Sequence, residues 1–181
     1  MSIKKTVKKQ FAKVNIKVKP LNKHKTSESM VTTSMANIVL FFYCTSSKEI
    51  INIGKFLDKI DDSFNIGAVL VYADIDKIEN EIIHDRIKIF NIDNFNIVGS
   101  LKQNTSDWLS SNIFDILISF ADNCDLFCNR IINNISAEFK AGSFNEQNLE
   151  LFDLTLVNTT DEYHKKFEYY IHYINNLNIN T

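Results

Sequence analysis

The amino-acid sequence predicts an α/β domain with three layers, in which helices cover both faces of a mostly parallel, twisted sheet. Three nearly continuous apolar runs of strand length begin near Ile38, Ile66 and Ile113, as is typical of strands buried on both faces. Segments with helical spacing of apolar residues separate these runs, and this alternation indicates parallel strands joined by crossover helices. The length of 181 residues fits one such domain.

Six segments are predicted as strands, because they are apolar runs or alternate between apolar and polar residues. In chain order they are 37–43, 66–72, 86–90, 113–120, 137–142 and 152–157. The segment 86–90 alternates and is therefore expected to be more exposed than the apolar runs. Gly142 is expected to end the fifth strand.

Four helices are predicted from apolar residues that recur every three to four positions. They cover approximately 46–60, 105–109, 125–135 and 161–177. Their predicted first residues or caps are, in the same order, Ser46 with Glu49 as a capping box, Thr105, Asp125 and Asp161. The acidic segment 74–85 fits either a short helix or a connecting loop.

Charge is divided unevenly along the chain. Residues 1–27 contain nine lysines and no acidic residue, whereas the remainder carries 11 basic and 22 acidic residues. The net charge of -2 therefore combines a basic arm of +9 with a body of -11. The polar segment from Thr26 to Ala36 is the predicted boundary, so the chain divides into a basic arm and link, 1–36, and an α/β domain, 37–181.

The basic arm also carries apolar residues at helical spacing, namely Ile3, Val7, Phe11, Val14 and Val18. A helix up to about Val14, followed by an extended segment, is favoured. Three roles are open: packing of this stripe on the body, contact with an anionic partner such as RNA, an acidic protein or an anionic lipid surface, and a targeting presequence. The predicted contacts with an anionic partner are Lys4, Lys5, Lys8, Lys9, Lys13 and Lys17.

Polar side chains follow the predicted strands at their carboxyl ends. In an open parallel sheet, ligands bind at this edge where the strand order reverses. The candidate ligand-binding residues here are Ser46, Ser47, Asp74, Asp122, Asn123 and Asp125, with Asp76 beside them. Such a rim can bind a divalent cation or a polar substrate, but these residue types are also common in turns and caps. Lys140 is a further candidate, for an anion, unless its stem simply covers apolar surface.

The sequence lacks the motifs that identify several classes of protein. The sequence contains no phosphate loop, no G-x-G-x-x-G fingerprint and no G-x-S-x-G elbow, which disfavours nucleotide hydrolysis, NAD binding and α/β-hydrolase chemistry. The three cysteines and four histidines lack the spacing of a structural zinc site or catalytic dyad, and buried apolar cysteines are expected. We therefore predict no cofactor and no metal. A non-catalytic binding or adaptor role is favoured over a small-molecule enzyme or ligand sensor.

The last predicted helix is aromatic on more than one face. Its aromatic residues are Tyr163, Phe167, Tyr169, Tyr170 and Tyr173. They are expected either to pack against the sheet or to extend an apolar surface for a homodimer. The sequence has no apolar stretch long enough to span a membrane, and its sparse cysteines indicate a reducing, cytoplasmic compartment.

Two motifs in the second half resemble a known family. The segments 114–119, F-D-I-L-I-S, and 136–142, S-A-E-F-K-A-G, are similar to F-D-[IL]-L-I-x and S-x-A-x-F-K-V-G of domain of unknown function 6913, found mainly in Bacteroidota. The resemblance extends from about Ile38 to Leu177, although Ala141 replaces the usual Val and Asn96-Ile97 replaces a common Asn-Trp pair. It implies a cytoplasmic bacterial protein with a Rossmann-like sheet and no assigned activity. A fainter similarity is to the acceptor-side half of heptosyltransferase-type glycosyltransferases, without their donor-nucleotide half.

Overall fold

The computed structural model describes residues 36–60, 62–75, 84–122, 125–145, 149–157 and 160–177. Within them, six parallel strands form one sheet in the order β3-β2-β1-β4-β5-β6. The strands are β1 Ile38–Cys44, β2 Ile66–Ala73, β3 Ile87–Phe90, β4 Ile113–Ser119, β5 Ser136–Ser143 and β6 Leu154–Leu156. The predicted α/β, Rossmann-like three-layer fold is confirmed.

Within the described residues, four helices cover the two faces of this sheet. They are α1 Ser47–Leu57, α2 Gln103–Ser111, α3 Leu126–Asn134 and α4 Tyr163–Leu177, with short 3-10 turns at Ile92–Asn94 and Leu149–Leu151. The buried residues of α1 and α4 belong to one apolar cluster, and those of α2 and α3 belong mainly to the other. None of the described helices is both long and apolar enough to cross a bilayer.

The position of β1 in the centre of the sheet explains why its sequence is a continuous apolar run and does not alternate between apolar and polar residues. Leu40 and Phe42 lie in the cluster under α1 and α4, whereas Val39 and Phe41 lie in the cluster under α2 and α3. All four side chains are almost completely buried. Because both faces of β1 are covered, both sets of alternate residues must be apolar.

Three local predictions were wrong in detail. Thr105 does not cap α2, which begins at Gln103 with Lys102 as its N-cap; the Thr105 hydroxyl instead accepts a hydrogen bond from Asn94 Nδ2 at 3.2 Å. Gly142 does not end β5 but pairs with Thr155 of β6 inside the sheet. α4 begins at Tyr163, two residues after Asp161.

Some predictions lie outside the described residues. These are the arm and its lysines within 1–35, most of the ambiguous acidic segment at 76–83 including Asp76, and the pair Asn123 and Cys124. Cys44 and Cys128, which are described, are buried, as expected from the sequence.

Candidate functional site

The carboxyl edge of the sheet, where β1, β2, β4 and β5 end, brings several predicted residues to one side of the molecule. β1 pairs with β2 on one side and with β4 on the other, so the strand order reverses between β1 and β4. The ladder places Phe41 opposite Ser119, so the loops after these two strands leave the edge side by side. They then diverge to α1 on one face and α3 on the other, and open parallel sheets bind ligands at such a point.

The N-terminus of α1 is capped by the carboxylate of Glu49, which lies in the first turn of the same helix. Glu49 accepts hydrogen bonds from the backbone N–H groups of Thr45 at 2.6 Å and Ser46 at 3.2 Å. Ser46 is the N-cap in extended conformation, and Ser47 is the first helical residue. The capping box predicted from the sequence is therefore present, and a negative charge already lies at the helix N-terminus.

Two of the candidate aspartates make local hydrogen bonds on the face covered by α3. The backbone N–H of Asp74 donates to the Cys44 carbonyl oxygen at 2.8 Å, and its carboxylate accepts from the Tyr43 hydroxyl at 3.4 Å. Asp125 is the N-cap of α3, as predicted, and accepts from the N–H groups of Phe127 and Cys128 at 2.9 and 3.0 Å. Asp125 thus has the cap role weighed for it above, whereas Asp74 extends the pairing of β2 with β1.

Asp122 is the centre of a hydrogen-bonded network at the ends of β4 and β5. Its carboxylate accepts from Lys166 Nζ at 2.7 Å and from the Ser143 hydroxyl. The Lys166 side chain is only 3% exposed, whereas that of Asp122 is 43% exposed. The network therefore ties the first turns of α4 to the sheet and leaves a carboxylate, rather than the ammonium group, facing solvent.

Tyr163, the first residue of α4, lies next to this network. Its ring packs against Phe42, Phe56 and Phe120, with centroid distances of 5.1, 5.8 and 5.8 Å. Burial raises the pKa of its hydroxyl, and the nearby Cys44, Glu49 and Asp122 raise it further. Tyr163 therefore stays protonated at neutral pH and can donate a hydrogen bond.

We refer to Cys44, Glu49, Asp122, Tyr163 and Lys166 as the Tyr163 site. Sequence reasoning identified Asp122, used Glu49 only as a cap, and assigned Tyr163 only to packing or a dimer surface. The usable signal was topological: in a parallel sheet, a helix that follows a strand begins at the carboxyl edge, so the first turn of the last helix belongs there.

The chemistry available at the Tyr163 site is that of hydrogen bonding. Burial, together with Glu49, raises the pKa of the Cys44 thiol to about 12, so it is not a nucleophile at neutral pH. Among the described residues, no three His, Cys, Asp or Glu side chains are grouped to hold a metal ion. A polar ligand would find a donor in Tyr163 and acceptors in the two carboxylates.

Lys140 lies away from this edge. It pairs with Leu117 in the middle of the sheet, and its ammonium donates to the Ile132 carbonyl oxygen in the last turn of α3 at 2.9 Å. The side chain is buried, and burial lowers its pKa to about 8 against the opposing effect of Asp153. The structure therefore places Lys140 on a helix C-terminus, where a cation is favourable, and not beside the other candidates.

Comparison with known proteins gives one match. The model of a family of unknown function, DUF6913, matches residues 3–177, so the match includes most of the basic arm as well as the α/β domain. No curated protein and no solved structure matches the chain. The chain belongs to the family of unknown function DUF6913.

Proposed function

We propose that the protein is a ligand-binding domain that holds a small polar molecule at the carboxyl edge of its sheet, beside Tyr163. The observation that carries this proposal is the partly buried Tyr163, whose ring packs against Phe42 of β1 and Phe120 after β4. Cys44, Glu49 and Asp122 lie near enough to raise the pKa of its hydroxyl. These groups lie where the strand order reverses between β1 and β4, which is where open parallel sheets bind ligands.

The charges at the site favour a neutral or cationic ligand over a phosphate. The N-terminus of α1 is occupied by Glu49 and that of α3 by Asp125. Lys166 is neutralised by Asp122 and is almost completely buried. An incoming phosphate would therefore meet carboxylates before it met a cation, and like-charge repulsion would oppose it. A polyhydroxyl compound or an amine could instead donate to Asp122 and Glu49 and accept from Tyr163.

Binding is favoured over covalent chemistry because the cysteine at the site is a protonated, buried thiol. A hydroxyl that stays protonated and carboxylates that accept hydrogen bonds are sufficient to orient a ligand. A ligand sensor, in which occupancy changes the packing of α4 on the sheet, fits this arrangement because Lys166 links α4 to the edge.

The proposal is tested by thermal unfolding of the full chain with sugars, polyols and amines, and separately with inorganic phosphate. A ligand at about 100 times its dissociation constant stabilises the native state by about 2.7 kcal/mol, which raises the midpoint by about 5–10 °C for a domain of this size. Tyr163→Phe should abolish the shift, because it removes the donor but keeps the ring.

Tyr169→Phe is the matched control, because Tyr169 lies on the same helix with its side chain about half exposed. This variant should keep the full shift. A compound that shifts Tyr163→Phe as much as the unmodified protein binds elsewhere and contradicts the proposal. The same conclusion follows if none of the neutral and cationic compounds shifts the midpoint.

A second candidate function is contact of the basic arm with an anionic partner, as in a binding or adaptor protein. It is supported by nine lysines without an acidic residue in 1–27. Binding to RNA or to anionic vesicles should weaken steeply with salt, with a slope of about -0.9 per phosphate neutralised on duplexes. Replacing Lys4, Lys5, Lys8 and Lys9 by Gln should flatten the slope, and replacing them by Arg should not. Unchanged binding of the Gln variant would exclude this function.

A further inference from the structure

A second cluster of polar groups lies on the face of the sheet opposite the Tyr163 site, near the end of β2 and the start of α3. Its central residue is Tyr72, which is completely buried in the apolar cluster under α2 and α3. The Tyr72 ring packs against the rings of Tyr43, Phe95 and Phe127, with centroid distances of 5.9, 6.1 and 6.3 Å. The hydroxyl group is therefore held among aromatic rings and away from bulk solvent.

The Tyr72 hydroxyl has no hydrogen-bond partner among the residues that the structure describes. Burial raises its pKa, and the nearby Asp125, Cys128 and Tyr43 raise it further, so the group is protonated at neutral pH and can donate. A buried hydroxyl that donates to nothing destabilises the folded protein, because the water that solvates it in the unfolded chain is not replaced. Native proteins rarely leave such a group without a partner.

The groups around this hydroxyl include acceptors that a bridging molecule can reach. The Asp125 carboxylate lies close enough to raise the pKa of Tyr72, and its Oδ1 accepts from the N–H groups of Phe127 and Cys128. A carboxylate has about four lone-pair sites, so Asp125 can accept hydrogen bonds beyond these two. The Cys128 thiol is completely buried and is a weak donor and acceptor.

We propose that this cluster is a binding site for one internal water molecule, which accepts a hydrogen bond from Tyr72 and donates one to Asp125. Internal waters make roughly two to four hydrogen bonds to buried polar groups, and Tyr72, Asp125 and Cys128 together supply such a set. A larger ligand would have to displace the aromatic rings around the hydroxyl. The water connects the end of β2 to the N-terminus of α3, on the face away from Tyr163, so the site goes beyond the proposed function.

Thermal unfolding of Tyr72→Phe tests whether the hydroxyl has a partner, because this change removes the hydroxyl and keeps the ring. If the hydroxyl binds the water, the midpoint should fall by about 2–4 °C. If the hydroxyl is unpaired, the midpoint should stay the same or rise, because the cost of a buried polar group is removed. Tyr169→Phe is the matched control, since the Tyr169 side chain is about half exposed, and it should leave the midpoint unchanged.

Magnetic relaxation dispersion of isotope-labelled water identifies the bridging molecule, because it counts the waters that stay bound for longer than the protein takes to tumble. Tyr72→Phe should lose about one such water relative to the unmodified protein, whereas Tyr169→Phe should lose none. A midpoint that does not fall in Tyr72→Phe would overturn the proposal. A midpoint that falls without the loss of a bound water would also overturn it, because a side chain would then be the partner.

This test and that of the proposed function can fail independently. Tyr72 and Tyr163 belong to the apolar clusters on opposite faces of the sheet. The ligand-induced shift expected at the Tyr163 site should therefore remain in Tyr72→Phe, and the bound water should remain when no ligand is present.

Discussion

Asp122 accepts hydrogen bonds from both Lys166 and Ser143, and Lys166 is 3% exposed. Asp122→Asn keeps the shape of the side chain but removes the negative charge opposite a buried ammonium group. We expect the free energy of unfolding to fall by about 1–3 kcal/mol, less than for a fully buried pair because Asp122 itself is partly exposed. Urea denaturation at pH 7 measures this loss.

A double-mutant cycle separates the ion pair from other effects of Asp122. In a Lys166→Met background the ammonium is absent, so Asp122→Asn should cost less than about 1 kcal/mol. If the substitution costs the same in both backgrounds, the two side chains are not coupled, and the edge depends on the Ser143 hydrogen bond instead.

Lys140 gives a dependence of stability on pH with a defined sign. Burial lowers its pKa from 10.5 to about 8 in the folded protein, so between these values the unfolded chain binds the proton and the folded protein does not. Stability therefore rises with pH across this window, by up to about 3 kcal/mol from this residue. Below pH 8 the cost of holding the ammonium group in the protein interior is fully present.

Comparison with Lys140→Met isolates this contribution, because tyrosines also titrate near the upper end of the window. The difference in unfolding free energy between the unmodified protein and Lys140→Met should change between pH 8 and 10.5, in favour of the unmodified protein. A constant difference would mean that Lys140 titrates normally in the folded protein.

At the scale of elements, β5 and α1 respond oppositely to the same substitution of glycine by alanine. A Cβ atom added to Gly142 would lie 2.5–2.7 Å from three atoms of the Phe152 ring, whereas one added to Gly54 would meet His84 at an ordinary 3.7 Å. Gly142→Ala should therefore destabilise the protein by about 1–3 kcal/mol. Gly54→Ala should stabilise helix α1 by about 0.5–1 kcal/mol. Thermal unfolding of both variants measures the two effects, and a Gly142→Ala variant that is as stable as the unmodified protein would contradict the close packing of Phe152 on β5.

The same glycine shows what the sequence can and cannot predict about elements. The six strands and four helices of the described residues were all predicted, because burial on one or both faces imposes a period that is visible locally. Gly142 was interpreted as a strand end, because nothing near it reveals that Phe152 packs over its bare backbone. Thr105 was interpreted as a cap, because its actual partner, Asn94, belongs to a different element. Local sequence patterns therefore predict where helices and strands lie. The roles of single residues such as Gly142 and Thr105 depend on contacts with other elements, which the local pattern does not show.

The same distinction between local patterns and contacts between elements applies to the candidate site. Asp122 was predicted because it follows a strand, and strand ends are visible in the sequence. Tyr163 and Lys166 were not predicted as site residues, because their place depends on how α4 docks over the ends of β1 and β4. Lys140 was grouped with the site by its neighbour Gly142, whereas the register places it in the middle of the sheet.

At the scale of the whole molecule, the order of the strands determines which parts are most stable. β1 is hydrogen-bonded to a neighbour on both sides, and nearly all its residues are buried. Among the described residues, β6 pairs only with β5, over three residues of intermediate exposure. The strand order could not be deduced from the sequence, because crossover helices permit either direction of growth at each step.

Native-state hydrogen exchange should reveal this order directly. Amides of Leu40 to Phe42 should exchange only through global unfolding, with a free energy equal to that from urea denaturation. Amides of β6 should exchange at least tenfold faster through local opening, because separating β6 breaks a single short ladder and exposes little apolar surface. The protection of β1 should fall in step with global stability in Asp122→Asn, whereas that of β6 should fall less. Equal protection of the two strands would mean that the sheet opens as one unit, and that the edge strand is held by more than its described partners.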